Sequence, residues 1–207
     1  MRGKFITVEG IDGAGKSSVT FALHSYLTAR GIDVFTTREP GGTELAEELR
    51  EATLKHRKEK VLPITEVLML FAGRAQLFNE RIRPELERGT WVLSDRFSDS
   101  TIAYQGGGHG VSTKFLFDVA NQVHGDLWPD RTYLLDVPIE EGLKRKSGLQ
   151  LDRIEIQDAD FFQRTRDEYL RMARKFERIT LIDSSRSLDV VLKDIYADLE
   201  TSLLSNV

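Results

Sequence analysis

The 207-residue chain contains no cysteine. That excludes a disulfide scaffold, a thiolate nucleophile and any cysteine-bearing zinc site, and it fits a reducing compartment. The four histidines, His24, His56, His109 and His124, show no metal-ligand spacing. Long apolar runs are also missing. The longest, from Val67 to Ala72, is far short of the roughly 20 residues a membrane helix needs, and the N-terminus reaches Glu9 too early for the apolar region of a signal peptide. A cytoplasmic protein with no membrane partner is therefore expected. Excess positive charge is absent too: 29 Lys and Arg stand against 33 Asp and Glu, a net charge of −4. The surface as a whole offers no basic footprint for nucleic acid, so any polyanion must be met by a local cluster of arginines. No repeat, linker or low-complexity tract interrupts the chain, and its length suits one domain.

What is present is an alternation of strands and helices. Phe5–Glu9 is β-rich and ends in a glycine-rich turn, after which Val19, Ala22, Leu23, Tyr26 and Leu27 recur at helical spacing. Gly31 closes that helix and 33–37 reads as a second strand, completing a βαβ unit. A helix is expected over about 43–58. A longer one runs from Ile64 to Pro84, with Ile64, Leu68, Phe71, Ala75, Phe78 and Ile82 as its apolar stripe. Short strands without polar alternation at 91–93, 132–135 and 179–182 fit a parallel sheet covered on both faces, and a last helix follows over 188–203. The expected fold is a doubly wound α/β protein with a five-stranded parallel sheet, binding ligands at the carboxyl ends of its strands.

Gly10-Ile11-Asp12-Gly13-Ala14-Gly15-Lys16-Ser17 matches G-x-x-x-x-G-K-[ST] and lies between a strand and a helix. In such a loop the glycines let backbone N–H groups turn inward around phosphate oxygens, with the positive end of the following helix behind them. Lys16 is placed to bridge the outer phosphates and Ser17 to ligate Mg²⁺. An acidic residue at a neighbouring strand end is also required. Asp95 and Asp136 both qualify. Asp95 is the better candidate because Arg96 follows it, whereas Asp136 could equally cap the next helix.

A switch GTPase needs an N-K-x-D guanine-reading motif, and the chain has none. It has instead Arg38 and Arg96 at expected strand ends, with Arg50 and Arg74 on helices. Arg74 shares a helix face with Leu70 and Phe78, next to the apolar stripe. A second phosphorylated substrate would explain the set.

The segments EGIDGAGKS (9–17), TREPGGT (37–43), FAGRAQ (71–76), DRFSDSTIAYQG (95–106) and LDR (151–153) resemble, in order and with similar gaps, the motifs of bacterial thymidylate kinases. The resemblance covers nearly the whole chain. It implies a P-loop nucleoside monophosphate kinase domain over 1–207, with a short lid at about 144–155, that uses ATP and Mg²⁺ to phosphorylate dTMP and works as a homodimer. Carried over by motif, Gly10, Gly13, Ala14, Gly15, Lys16, Ser17 and Ser18 would bind ATP, with Arg145 against adenine. Asp12 would approach the 3′-hydroxyl of dTMP, while Arg38, Arg50 and Arg96 would surround its phosphate. Arg74, Thr101 and Gln105 would address thymine, and Tyr104 would crowd the 2′ position. Lys16, Asp12, Arg96 and Arg153 would be the catalytic set, and Ser17 and Asp95 the metal ligands.

Two positions depart from the pattern. An aromatic residue often stands four before the arginine of the FAGR-like segment, but here Leu70 occupies that place and Phe71 follows it. Leu70 and Phe71 are both candidates to cover the thymine of dTMP; the shared face of Leu70 and Arg74 favours Leu70 toward the base, with Phe71 in the core. His109 stands where arginine is common. Two other readings use parts of the same pattern. Another nucleoside monophosphate kinase would keep the loop but change the pocket of Arg74, Thr101 and Gln105, and a P-loop ATPase without a second nucleotide site would not need TREPGGT.

Overall fold

The computed structural model describes residues 2–145, 148 and 151–205. Five strands, β1 (Phe5–Glu9), β2 (Val34–Arg38), β3 (Trp91–Asp95), β4 (Arg131–Asp136) and β5 (Ile179–Asp183), form one sheet in the order β2-β3-β1-β4-β5. Every pairing is parallel. All five residues of the central β1 are buried, as expected for a strand covered on both faces. Its side chains alternate. Phe5 meets Phe97 edge-on, and Glu9 on the same face meets Tyr169. Ile6 and Val8 point to the opposite face and join the apolar cluster that includes Val19, Leu23 and Leu27.

Among the described residues, nine α-helical segments connect or follow the strands: α1 (Lys16–Thr28), α2 (Glu44–Leu54), α3 (Pro63–Leu77), α4 (Arg83–Glu87), α5 (Ser98–Thr101), α6 (Thr113–His124), α7 (Ile139–Arg145), α8 (Ala159–Lys175) and α9 (Leu188–Leu199). Side-chain caps start α2 (Thr43 accepting from Ala46 N–H) and α8 (Asp158 accepting from Phe161 N–H). α2 ends at Leu54, four residues earlier than expected, because the charged run that follows has no apolar face to bury.

The long third helix differs from expectation in two ways. It does not stop at Pro84 but widens into a π turn over Phe78–Ile82 and resumes as α4, with the proline at its first turn. There a missing N–H costs little. Its buried face is also rotated. Val67, Leu70, Phe71, Arg74, Leu77 and Phe78 are buried, while Ile64 and Leu68, expected in the stripe, are exposed. A second π stretch, Ile102–Gly108, carries Tyr104 and Gln105. The expected lid at 144–155 includes 146–147 and 149–150, which lie outside the described residues.

Candidate active site

The carboxyl ends of β1, β2 and β3 converge, so the residues just beyond them share one cavity of about 730 Å³. Parallel pairing sets Val8 and Arg38 level with Asp95. The loop after β1 reaches α1 through Gly10, Gly13 and Gly15, all with positive φ. Gly13 has a further constraint: a Cβ there would lie 2.2 Å from the carbonyl oxygen of Gly142. α1 starts on Gly15 with no side-chain cap, which leaves its first N–H groups available to an anion.

Lys16 is folded back into the loop. Its Nζ donates to the carbonyls of Gly10 (3.2 Å) and Ile11 (2.9 Å) and lies 3.8 Å from Asp12. Burial, reinforced by the Arg96 cation, lowers its pKa to about 8. Ser17 Oγ donates to Asp95 Oδ2 at 3.4 Å. Asp136 is instead held by a two-pronged ion pair with Arg166 (2.6 and 2.8 Å). Of the two acidic candidates, Asp95 is the one beside the loop's hydroxyl.

Arg96 lies at the centre of the site. Its backbone is left-handed, φ 74°, a conformation uncommon for a residue with a Cβ and worth a functional hypothesis where it occurs. The guanidinium donates to Asp12 Oδ1 (2.7 Å), Tyr104 Oη (3.1 Å), Gly10 O (3.1 Å) and Ser100 Oγ (3.0 Å). Tyr104 donates in turn to Asp12 Oδ2 at 2.9 Å, so its hydroxyl anchors Asp12. Beneath this cluster is Glu9, fully buried. It accepts from Phe97 N–H, Ser100 Oγ and Tyr169 Oη, and burial pushes its carboxyl up to about 7.

Farther along the cavity, Arg38 and Arg50 both donate to the carbonyl of Pro40 at 2.9 Å, so two guanidinium groups meet at its rim. Burial and the neighbouring Arg38 lower the pKa of Arg50. The inner wall holds Arg74, buried and bound to Glu39 (2.7 Å) and Thr101 (2.9 Å), with its Nη1 lacking a hydrogen-bond partner among the described residues. Leu70, Thr101, Tyr104 and Gln105 line the same wall.

Most residues singled out from the sequence thus line one cavity: Asp12, Gly13, Gly15, Lys16, Ser17, Ser18, Arg38, Arg50, Leu70, Arg74, Asp95, Arg96, Thr101, Tyr104, Gln105 and Arg145. Gly10 and Ala14 shape the loop from behind and are not in the lining. Phe71 is also outside it, packed in the core with its ring 4.7 Å from the Arg74 guanidinium. Arg145 at the cavity's edge donates to the carbonyls of Gly13 and Ser184.

Arg153 is not brought to the loop. Its guanidinium donates to the Thr53 carbonyl and pairs with Glu66, because a buried carboxylate on α3 is its nearest counter-charge. His109 Nε2 lies 3.7 Å from the same Glu66. Sequence reasoning missed the buried carboxylates Glu9, Glu39 and Glu66, together with Ser100 and Tyr169. Glu9 and Glu39 do stand inside quoted motifs, directly at strand ends, which is the signal that could have marked them.

Comparison with known proteins accords with this geometry. The family model described as thymidylate kinase matches residues 8–195. The thymidylate kinase of Cupriavidus necator is 52% identical over 192 residues, covering 91% of this chain and 93% of that one. That of Nitrosospira multiformis is 46% identical over 203 residues, covering 97% and 98%. The crystal structure of thymidylate kinase from Ehrlichia chaffeensis superposes with a TM-score of 0.80 at 32% identity, over 97% of this chain and 99% of that one. A cavity that joins a phosphate-binding loop to an arginine-rimmed chamber, on a chain this similar throughout, has one conclusion: the protein belongs to the thymidylate kinase family.

Proposed function

We propose that this chain performs its family's reaction, transfer of the ATP γ-phosphoryl group to dTMP giving dTDP and ADP, as one P-loop kinase domain over 1–207 with 144–155 as a short lid. The observation that carries this reading is the single cavity with the glycine loop at one end and Arg38, Arg50, Arg74 and Arg96 around the other. An acceptor phosphate monoester, with a second pKa of about 6, is largely dianionic at neutral pH and needs no general base. What it needs is positive charge to bring it against a second polyanion, and fixed alignment.

In this reading the loop N–H groups of 13–18 cradle the donor phosphates, Lys16 swings from its backbone carbonyls to the transferred group, and Arg145 covers adenine. Arg38, Arg50 and Arg96 hold the acceptor phosphate. Asp12, fixed by Tyr104 and Arg96, faces the sugar, and Leu70, Arg74, Thr101 and Gln105 form the base chamber. Ser17 and Asp95 fit Mg²⁺, which takes hard oxygen ligands and keeps most of its water, so one hydroxyl and one carboxylate suffice. The ion would supply charge neutralisation at the phosphates.

A coupled ADP-release assay across nucleoside monophosphates tests this reading. The expected result is strong preference for dTMP. ADP release that needs no monophosphate would make the protein an ATPase, and preference for another monophosphate would reassign the acceptor.

The low pKa of Lys16 has a kinetic consequence. Only the ammonium form attracts phosphate, so kcat/KM for ATP, which reports the free enzyme, is expected to fall as pH rises through about 8. With ATP bound, its negative charge holds the proton on, and kcat should stay level to higher pH. A flat kcat/KM profile from pH 7 to 10 would contradict this.

A homodimer is also proposed. Leu62, Ile64 and Leu68 on or beside α3 and Leu45 on α2 are exposed, and α2 and α3 pack together. Ile64 and Leu68 stand one turn apart on the same helix, and exposed apolar side chains so placed suggest that a partner covers them; the family reading makes that partner a second copy. Sedimentation should give twice the chain mass, and Leu68→Lys should shift it toward the monomer. A monomeric wild type would remove the proposal. Among the described residues no helix is long and apolar enough to cross a membrane, and a cytoplasmic location is part of the same reading.

A further inference from the structure

Glu66 has no place in the phosphate chemistry, yet it is buried at 1% exposure in the third helix and gathers three partners. Gln105 Nε2 donates to its Oε1 at 2.6 Å, Arg153 donates to its Oε2, and His109 lies at 3.7 Å. Gln105 is itself buried and lines the cavity. A side-chain amide has two ends of opposite polarity, and an ion-paired carboxylate can only accept. The amide nitrogen must therefore face Glu66, which turns the amide oxygen the other way.

We propose that Glu66 is a positioning residue for base selection: it locks the Gln105 amide with its oxygen toward the base, and Arg153 holds Glu66 in place. This rests on the assignment of the chamber to thymine. A locked acceptor suits a pyrimidine with N–H at ring position 3. Arg74 adds a donor on the same wall, since its Nη1 has no partner among the described residues. Donor and acceptor together complement the carbonyl and N–H of the thymine imide edge. Cytosine presents an amino group and a bare ring nitrogen at those positions and is mismatched at both.

The device also gives Arg153 a role away from the transferred phosphate. Its backbone N–H donates to Leu54 O at 3.2 Å and its guanidinium to Thr53 O, so the C-terminal part of the expected lid is tied to the end of α2 and to the carboxylate that orients Gln105.

Glu66→Gln, which keeps the shape, is the deciding variant. Arg153 will claim the oxygen of the new amide, so its nitrogen faces Gln105 and forces that amide to turn over. The ratio of kcat/KM for dTMP to that for dCMP is expected to fall by about tenfold or more, chiefly through a higher KM for dTMP, because a site built around one hydrogen-bond pattern discriminates strongly against the other. KM for ATP should change little, while the melting temperature should fall, since Arg153 loses its counter-charge. Gln105→Met, which has no amide, should lower the same ratio, and adding Glu66→Gln to it should change the ratio less than twofold. An unchanged ratio in a folded Glu66→Gln, or in Gln105→Met should the first variant not fold, overturns the inference. Failure of the wild type to phosphorylate dTMP would instead overturn the functional reading beneath it.

Discussion

Lys16→Ala is expected to lower kcat by on the order of 10²–10⁴ while leaving a folded protein, since what is removed is charge that acts on the transferred phosphoryl. The side chain is buried, but its polar contacts are the carbonyls of Gly10 and Ile11 and a distant Asp12. It also lines the cavity, so water can satisfy the two carbonyls after truncation. Burial makes this cation costly to keep charged and lowers its pKa to about 8, so its removal is not expected to cost stability. Steady-state kinetics with a thermal melt checks both halves. A kcat within threefold of wild type would remove Lys16 from the catalytic set, and a collapsed melt would give it a structural role.

Arg96→Ala is expected to lower kcat by about 10²–10³, the scale for losing one preorganised charge at a transferring group. The guanidinium also sets the positions of Asp12 and Tyr104, so KM for dTMP should rise as well. Arg96→Lys should rescue little, because an ammonium cannot span the diverging partners that the planar fork reaches. Arg96→Gly separates backbone from side chain. With φ at 74°, glycine relieves strain that alanine keeps, so the glycine variant should melt higher than the alanine variant while being equally inactive. Equal kcat for arginine and lysine would reduce Arg96 to a point charge, and equal melting temperatures for glycine and alanine would show that the left-handed backbone is unstrained.

These two residues differ in how far the sequence exposes them. Lys16 belongs to a motif whose chemistry is local: glycines that permit positive φ, a lysine and a hydroxyl, all within eight positions between a strand and a helix. The alternation of short apolar runs with amphipathic stretches likewise determines a parallel sheet with covering helices, because period and composition act over a few residues at a time. Arg96 was marked by its neighbour Asp95 and by the quoted motif, but its backbone conformation and its partners at positions 10, 12, 100 and 104 were not.

The facing of the third helix shows the limit most clearly. Ile64 and Leu68 obey the same spacing as the buried residues, and a stripe of that width fits two rotations of one helix. Which rotation is adopted depends on what packs against it, and that is decided by chain far away. Arg153 and Glu66 are 87 positions apart, and Glu9 and Tyr169 are 160 apart. Local pattern determined the sheet, the helices and the phosphate loop of this protein. The tertiary structure alone decided which charges are buried together and which way each one points, because the position of a counter-charge brought across the fold is not encoded in the spacing around either partner.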